Sequence, residues 1–175
     1  MTFKYLKEIF KDYKVGAITR SSSFVIEKIL SEIRPTDKKI VEYGSGDGVV
    51  IRALLKSLSE DVEITGLEPN KNFITELKKI SDPRFKPVQG YAMEFSKNLS
   101  SADIVISSIP FTFIKSKERE KIVQETYRAL APGGKFVVYQ YSQLALPILN
   151  KYFKKVETSM EARNLPPYFF MVGYK

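Results

Sequence analysis

The chain has 175 residues, 43% of them hydrophobic and 27% charged, with a formal net charge of +8. That length suits one domain with a core of its own, and no apolar run approaches the roughly 20 residues that cross a bilayer. There is no Cys and no His, which excludes disulfides, thiolate nucleophiles, Cys- or His-ligated metal sites and Ser-His-Asp hydrolysis.

Residues 1–37 read as helical. Phe3, Leu6, Ile9, Phe10 and Tyr13 recur at helical spacing, with Lys4, Lys7, Lys11 and Lys14 beside them. A basic amphipathic helix over about 3–13 lies in the headgroup plane of an anionic membrane, or packs its apolar face on the domain, or does both. Charges interrupt this start every few residues, unlike a signal peptide. The expected location is cytoplasmic, peripheral on the inner face of the cell membrane. The positive charge itself fits nucleic acid, an anionic membrane or a Lys-rich solvated surface.

From residue 38 to 175 strands and helices alternate. Strands are expected at 39–43, 62–67, 85–89, 102–108, 135–141, 156–161 and 168–174, and helices at 49–58, 70–80, 117–130 and 144–151. Asn70 is a candidate cap for its helix, and Pro132-Gly133-Gly134 stops the third. The alternation predicts a Rossmann-like α/β fold: a seven-stranded, mostly parallel sheet with helices on both faces. No helix separates the last two strands, so one of them is expected to be antiparallel.

Glu42-Tyr43-Gly44-Ser45-Gly46-Asp47-Gly48 joins the first strand to a helix, where glycines let the backbone turn sharply and approach a ligand. Glu68 ends the next strand, at the place from which a carboxylate reaches a nucleoside ribose. The spacing G-x-G-x-G departs from the dinucleotide-binding G-x-G-x-x-G, because position 49 is Val. It resembles motif I of class I methyltransferases, which implies S-adenosylmethionine as cofactor, S-adenosylhomocysteine as product, and no metal. That resemblance makes Glu42, Gly44, Ser45, Gly46 and Gly48 the cofactor loop, Glu68 with Pro69 the ribose site, and Gly90, Tyr91, Ala92 and Met93 the adenine surroundings, with Tyr91 standing where an Asp is usual. Ala131-Pro132-Gly133-Gly134-Lys135-Phe136 looks like the turn that precedes the family's fifth strand.

Four further segments resemble the bacterial phospholipid N-methyltransferases of the phosphatidylethanolamine type, relatives of the ribosomal RNA adenine dimethylases. Val15-Gly16-Ala17-Ile18-Thr19-Arg20-Ser21-Ser22 is similar to a Val-Gly-Ala/Ser-Ile-x-Pro-Ser-Ser segment, with Arg20 in the place of Pro. Ser107-Ser108-Ile109-Pro110-Phe111, Tyr139-Gln140-Tyr141-Ser142 and Arg163-Asn164-Leu165-Pro166-Pro167 are similar to three others, the last the most specific. The resemblance implies a phospholipid substrate, an anionic membrane surface as reversible partner, Ser107, Ser108 and Ile109 lining the reaction centre, and Ser21 and Ser22 closing over the cofactor.

Methyl transfer to an amine needs the amine deprotonated, and without His a Tyr, a carboxylate or solvent takes the proton. Tyr141 is the first candidate and Tyr139 the second; strand alternation puts them on one face, Gln140 on the other, and either is equally a core aromatic. Arg163 suits a lipid phosphate, or a surface ion pair. Three alternatives stand beside this reading. An RNA adenine-N6 methyltransferase is disfavoured by Ser108 where an Asn or Asp is usual, and by the absence of a helical domain after the last strand. A protein-lysine methyltransferase and a non-catalytic cofactor-binding module complete the set.

Overall fold

The computed structural model describes residues 21–95, 101–164 and 166–175. The amphipathic segment 3–13, with its Phe3, Lys4, Leu6, Lys7, Phe10, Lys11 and Tyr13, lies outside the described residues, as do residues 14–20 and Leu165.

The elements run α1 (Ser23–Ser31), β1 (Lys39–Tyr43), α2 (Val49–Ser57), β2 (Glu63–Glu68), α3 (Lys71–Leu77), β3 (Phe85–Gln89), α4 (Ala92–Phe95), β4 (Ala102–Ser107), α5 (Ser116–Ala129), β5 (Leu130–Gln140), α6 (Leu146–Tyr152), β6 (Lys155–Glu161) and β7 (Tyr168–Tyr174). A single turn of 3-10 helix, Phe111–Phe113, follows β4. The strands form one seven-stranded sheet in the order β3-β2-β1-β4-β5-β7-β6. Only β7 opposes its neighbours, pairing antiparallel with both β5 and β6.

The central strands read as continuous apolar runs because both of their faces are covered. On one face Ile40, Ile64, Ile104, Ile106 and Val137 pack under Val25 and Ile29 of α1, Val50, Ile51 and Leu54 of α2, and Ile74 and Leu77 of α3. On the other, Val41, Val105, Phe136 and Val138 meet Ile122 and Val123 of α5 and Leu149 of α6. Asn70 caps α3 as its position suggested, accepting a hydrogen bond from the Asn72 N–H at 2.9 Å.

Two local details differ from the sequence reading. Strand β5 begins at Leu130 rather than 135, because Leu130 already pairs with Ala102 and the register then shifts across the Pro-Gly-Gly passage before Lys135 pairs with Ile104. The short α4 and the 3-10 turn carry too few residues for a helical period to show.

The β7 strand closes tightly on its neighbours at Gly173, where an added Cβ would stand 2.6 Å from Cγ of the Phe153 ring. Gly173→Ala is expected to cost about 1–3 kcal/mol through overpacking. Thermal melts of the single variant and of Gly173→Ala in a Phe153→Leu background check this: the cost should shrink in the second.

Candidate cofactor and acceptor site

The strand order reverses between β1 and β4, and ligands of such sheets sit at that switch, beyond the strands' carboxyl ends. The glycine loop leaves β1 there. Its first two N–H groups, of Gly44 and Ser45, donate to the Leu67 carbonyl at 2.8 and 3.1 Å, clamping the loop to β2. Gly46 has φ +51°, and a Cβ on it would meet nothing within 4 Å, so its outer side is open. Gly48 has φ +79°, and a Cβ there would strike Leu77 of α3 at 2.8 Å. Both positions therefore require glycine, one for its backbone conformation and one also for space.

Two buried carboxyls support the loop. Glu68, 2% exposed, accepts from the Gly46 N–H at 2.9 Å and from the Asn70 N–H at 2.8 Å. Burial raises its pKa, and these two donors oppose the rise. A carboxylate has room for further donors beyond two. Glu42, 1% exposed, has one oxygen, Oε2, without a hydrogen-bond partner. Burial, then the nearby Glu68 and Asp47, push its pKa up to about 8, with a hydrogen bond from Ser45 pulling the other way.

Beside the loop opens a cleft of about 590 Å³, counted to its open mouth. Seven expected residues line it: Gly44, Pro69, Gly90, Tyr91, Ala92, Met93 and Ile109. Four others were not singled out in the sequence: Leu67, Ile114, Glu118 and Ile122. An apolar slot between the β3 end and the loop after β4, next to a glycine loop and two carboxyls, fits a nucleoside carrying a cationic amino-acid arm. The open side of Gly46 and the unpartnered Glu42 oxygen are the two observations that make S-adenosylmethionine fit these residues.

The remaining candidates gather around the carboxyl ends of β4 and β5. Ser107 is fully buried, and its hydroxyl accepts from the Ile109 N–H at 3.4 Å. Ser108 donates to the Gly44 carbonyl at 2.8 Å, tying the β4 end to the loop. Ser21 donates to the Tyr139 hydroxyl at 3.3 Å. Ser22 caps α1, and its N–H reaches Asn164 Oδ1 at 3.4 Å. Gln140 accepts the Phe111 N–H at 2.8 Å, and Tyr141 lies 3.4 Å from the Thr112 hydroxyl.

The two tyrosines share a face, as alternation implied, but not an environment. Tyr139 is buried among Tyr168 and Phe170, and burial followed by the charge of Glu42 holds its phenol above the usual value. It stays neutral and orients Ser21 rather than taking a proton. Tyr141 is half-buried and keeps its hydroxyl beside that of exposed Thr112, outside the lining of the cleft. Tyr139→Phe should lower stability by about 1 kcal/mol through loss of this hydrogen bond. Tyr141→Phe should stay within about 0.5 kcal/mol of the parent; thermal melts separate the two.

Arg163 takes the ion-pair option: Nε and an Nη donate to the two Glu161 oxygens, both at 2.8 Å, while its guanidinium stacks 4.0 Å over Phe24. The pair holds the Glu161 carboxyl down to about 2. A phosphate at Arg163 would have to compete with Glu161.

Residues 40–134, more than half of the chain, match the family described as methyltransferase domain. A ubiquinone/menaquinone biosynthesis C-methyltransferase from Wigglesworthia glossinidia brevipalpis is 23% identical over 163 residues, 85% of this chain and 64% of that protein. A human thiol S-methyltransferase is 26% identical over 123 residues, 67% of this chain and 48% of that protein. The chain thus spans between about half and two thirds of these relatives. Among solved structures, a precorrin-6y C5,15-methyltransferase from Geobacter metallireducens GS-15 superposes with a TM-score of 0.73 at 19% identity, covering 89% of each chain. A structure titled putative rRNA-methylase from Clostridium thermocellum gives 0.67 at 15% identity, covering 90% of this chain and 97% of that one. The fold is the Rossmann-like class I methyltransferase fold, and the chain belongs to the S-adenosylmethionine-dependent methyltransferase domain family.

Proposed function

We propose that this chain transfers a methyl group to the amine of a phosphatidylethanolamine-type phospholipid at an anionic membrane surface. The observation that carries this reading is convergence. Four segments similar to phospholipid N-methyltransferases lie far apart in sequence. They are joined by the Ser21–Tyr139, Ser22–Asn164 and Gln140–Phe111 hydrogen bonds at the end of the sheet where the cofactor loop sits.

A second feature agrees with it. Phe113 and Leu144, 44% and 42% exposed, sit on the two loops that follow β4 and β5, with exposed Lys115 and Lys117 beside Phe113. An exposed apolar side chain flanked by lysines suits a headgroup layer.

When bound, S-adenosylmethionine supplies a methyl group on a sulfonium, and the displacement is in line. The protein's share is therefore alignment and exclusion of water. The glycine loop and Glu68 fix the cofactor end, Ile109 and Ile114 wall off solvent, and the Tyr141 hydroxyl accepts a hydrogen bond from the neutral amine. The RNA adenine alternative lacks support here: Ser108 has no side-chain carbonyl to hold an exocyclic amine, and its hydroxyl is committed to Gly44. The names of the curated relatives give carbon and sulfur acceptors, so the nitrogen acceptor rests on this chain's own motifs.

The test offers methyl-labelled cofactor, liposomes of phosphatidylethanolamine with anionic lipid, and bulk RNA in one tube. Label extracted with mono- or dimethylated phosphatidylethanolamine is the expected result. Label in RNA alone sinks the lipid reading.

A further inference from the structure

Glu118 stands in the first turn of α5, and its position in the cleft has no counterpart in the glycine-loop chemistry. Ile122, one turn further along α5, and Ile114, in the extended segment just before the helix, line the same cleft, so the carboxyl sits among apolar side chains. Tyr91, Ala92 and Met93 line the same cleft. Among the described residues no cation pairs with Glu118 and no donor reaches its carboxyl. Among the described residues it is the one carboxyl in the lining. A half-buried carboxylate beside an apolar slot is available to accept a donor that a ligand brings.

We infer that Glu118 selects adenine, its carboxylate accepting a hydrogen bond from the 6-amino group of the cofactor. The chemistry favours it over Tyr91, the other polar side chain of the slot. A carboxylate only accepts, so it welcomes an amino group and repels a 6-oxo group. A neutral phenol donates or accepts with equal ease and does not tell the two apart. A site built on an acceptor alone discriminates because the wrong base leaves that acceptor unpaired.

The test measures binding, not turnover: calorimetric titration with S-adenosylhomocysteine and with its deaminated analogue, S-inosylhomocysteine. The native protein is expected to prefer the adenine form by about thirty-fold or more. In Glu118→Gln the amide turns its N–H towards the 6-oxo group, and the preference should collapse to within about threefold or invert. Tyr91→Phe should keep the native preference. Should the Gln variant bind neither ligand, Glu118→Asp decides: weaker binding with the preference retained supports the assignment, and equal binding of both ligands overturns it. A native protein without preference, a Glu118→Gln variant with the native preference, or loss of preference in Tyr91→Phe alone also overturns it.

Discussion

Glu68→Gln is expected to weaken S-adenosylhomocysteine binding by about tenfold to a hundredfold and to lower stability by about 2 kcal/mol. The side chain accepts from two backbone N–H groups, of Gly46 at 2.9 Å and Asn70 at 2.8 Å, from a position 2% exposed. Hydrogen bonds to a charged acceptor are the strong ones, worth about 1.5–3 kcal/mol each. An amide offers one oxygen and turns its NH₂ towards the other N–H, so one backbone donor is left unpaired in a buried place. The loop around Gly46 then loses its tie to β2, and a loop displaced by about 1 Å binds its ligand poorly. Titration calorimetry reads the affinity and thermal unfolding reads the stability. A variant within twofold of the parent in affinity would contradict the role given to Glu68.

Glu42→Gln is expected to make the ligand-free protein more stable at alkaline pH, by about 5 kcal/mol, while leaving it unchanged near pH 4. The pKa of Glu42 rises from 4.5 to about 8 on folding, chiefly through burial. Between those two values the folded chain therefore holds more protons than the unfolded one. Stability contributed by the protonated carboxyl is complete below about pH 4.5, falls as pH rises, and is gone above about pH 8. Glutamine copies the protonated form and does not titrate, so the difference between the two proteins isolates this one group. The neighbours that titrate around it, Glu68, Asp47 and Tyr139, remain in both. Denaturant unfolding at a series of pH values checks the curve; parallel pH profiles would contradict it. Binding of the cationic cofactor favours the ionised carboxyl. Titrations near pH 7 in buffers of different ionisation enthalpy should therefore show a proton released by the native protein and a smaller release from Glu42→Gln.

The sequence made the scaffold legible where a pattern spans several residues. Strands at 39–43 and 168–174 lie where β1 and β7 run, because apolar runs bounded by turn residues mark largely buried strands. The antiparallel β7 followed from the missing helix between the last two strands. The glycine loop and Glu68 were legible because a turn, a close approach and a strand-end carboxylate each demand a residue type at a fixed spacing.

What stayed hidden depends on depth and on contacts across the chain. Alternation puts Tyr139 and Tyr141 on one face but does not say that Tyr139 packs with α1 while Tyr141 reaches exposed Thr112. Glu118 belongs to a helix whose stripe reads as ordinary amphipathicity, and only the fold brings it into the same cleft lining as Tyr91. Arg163 fitted a phosphate or an ion pair equally well in sequence, and the fold gives it Glu161, two residues earlier at the end of β6.

The most direct measurement of the central claim locates the transferred methyl group. Purified protein is incubated with trideuteromethyl-labelled S-adenosylmethionine and phosphatidylethanolamine in detergent micelles, and the product lipid is fragmented in a mass spectrometer. The account predicts trideuteromethyl groups on the ethanolamine nitrogen, found in the headgroup fragment. Label in the acyl chains, or unchanged lipid beside a protein that binds the cofactor, would contradict it.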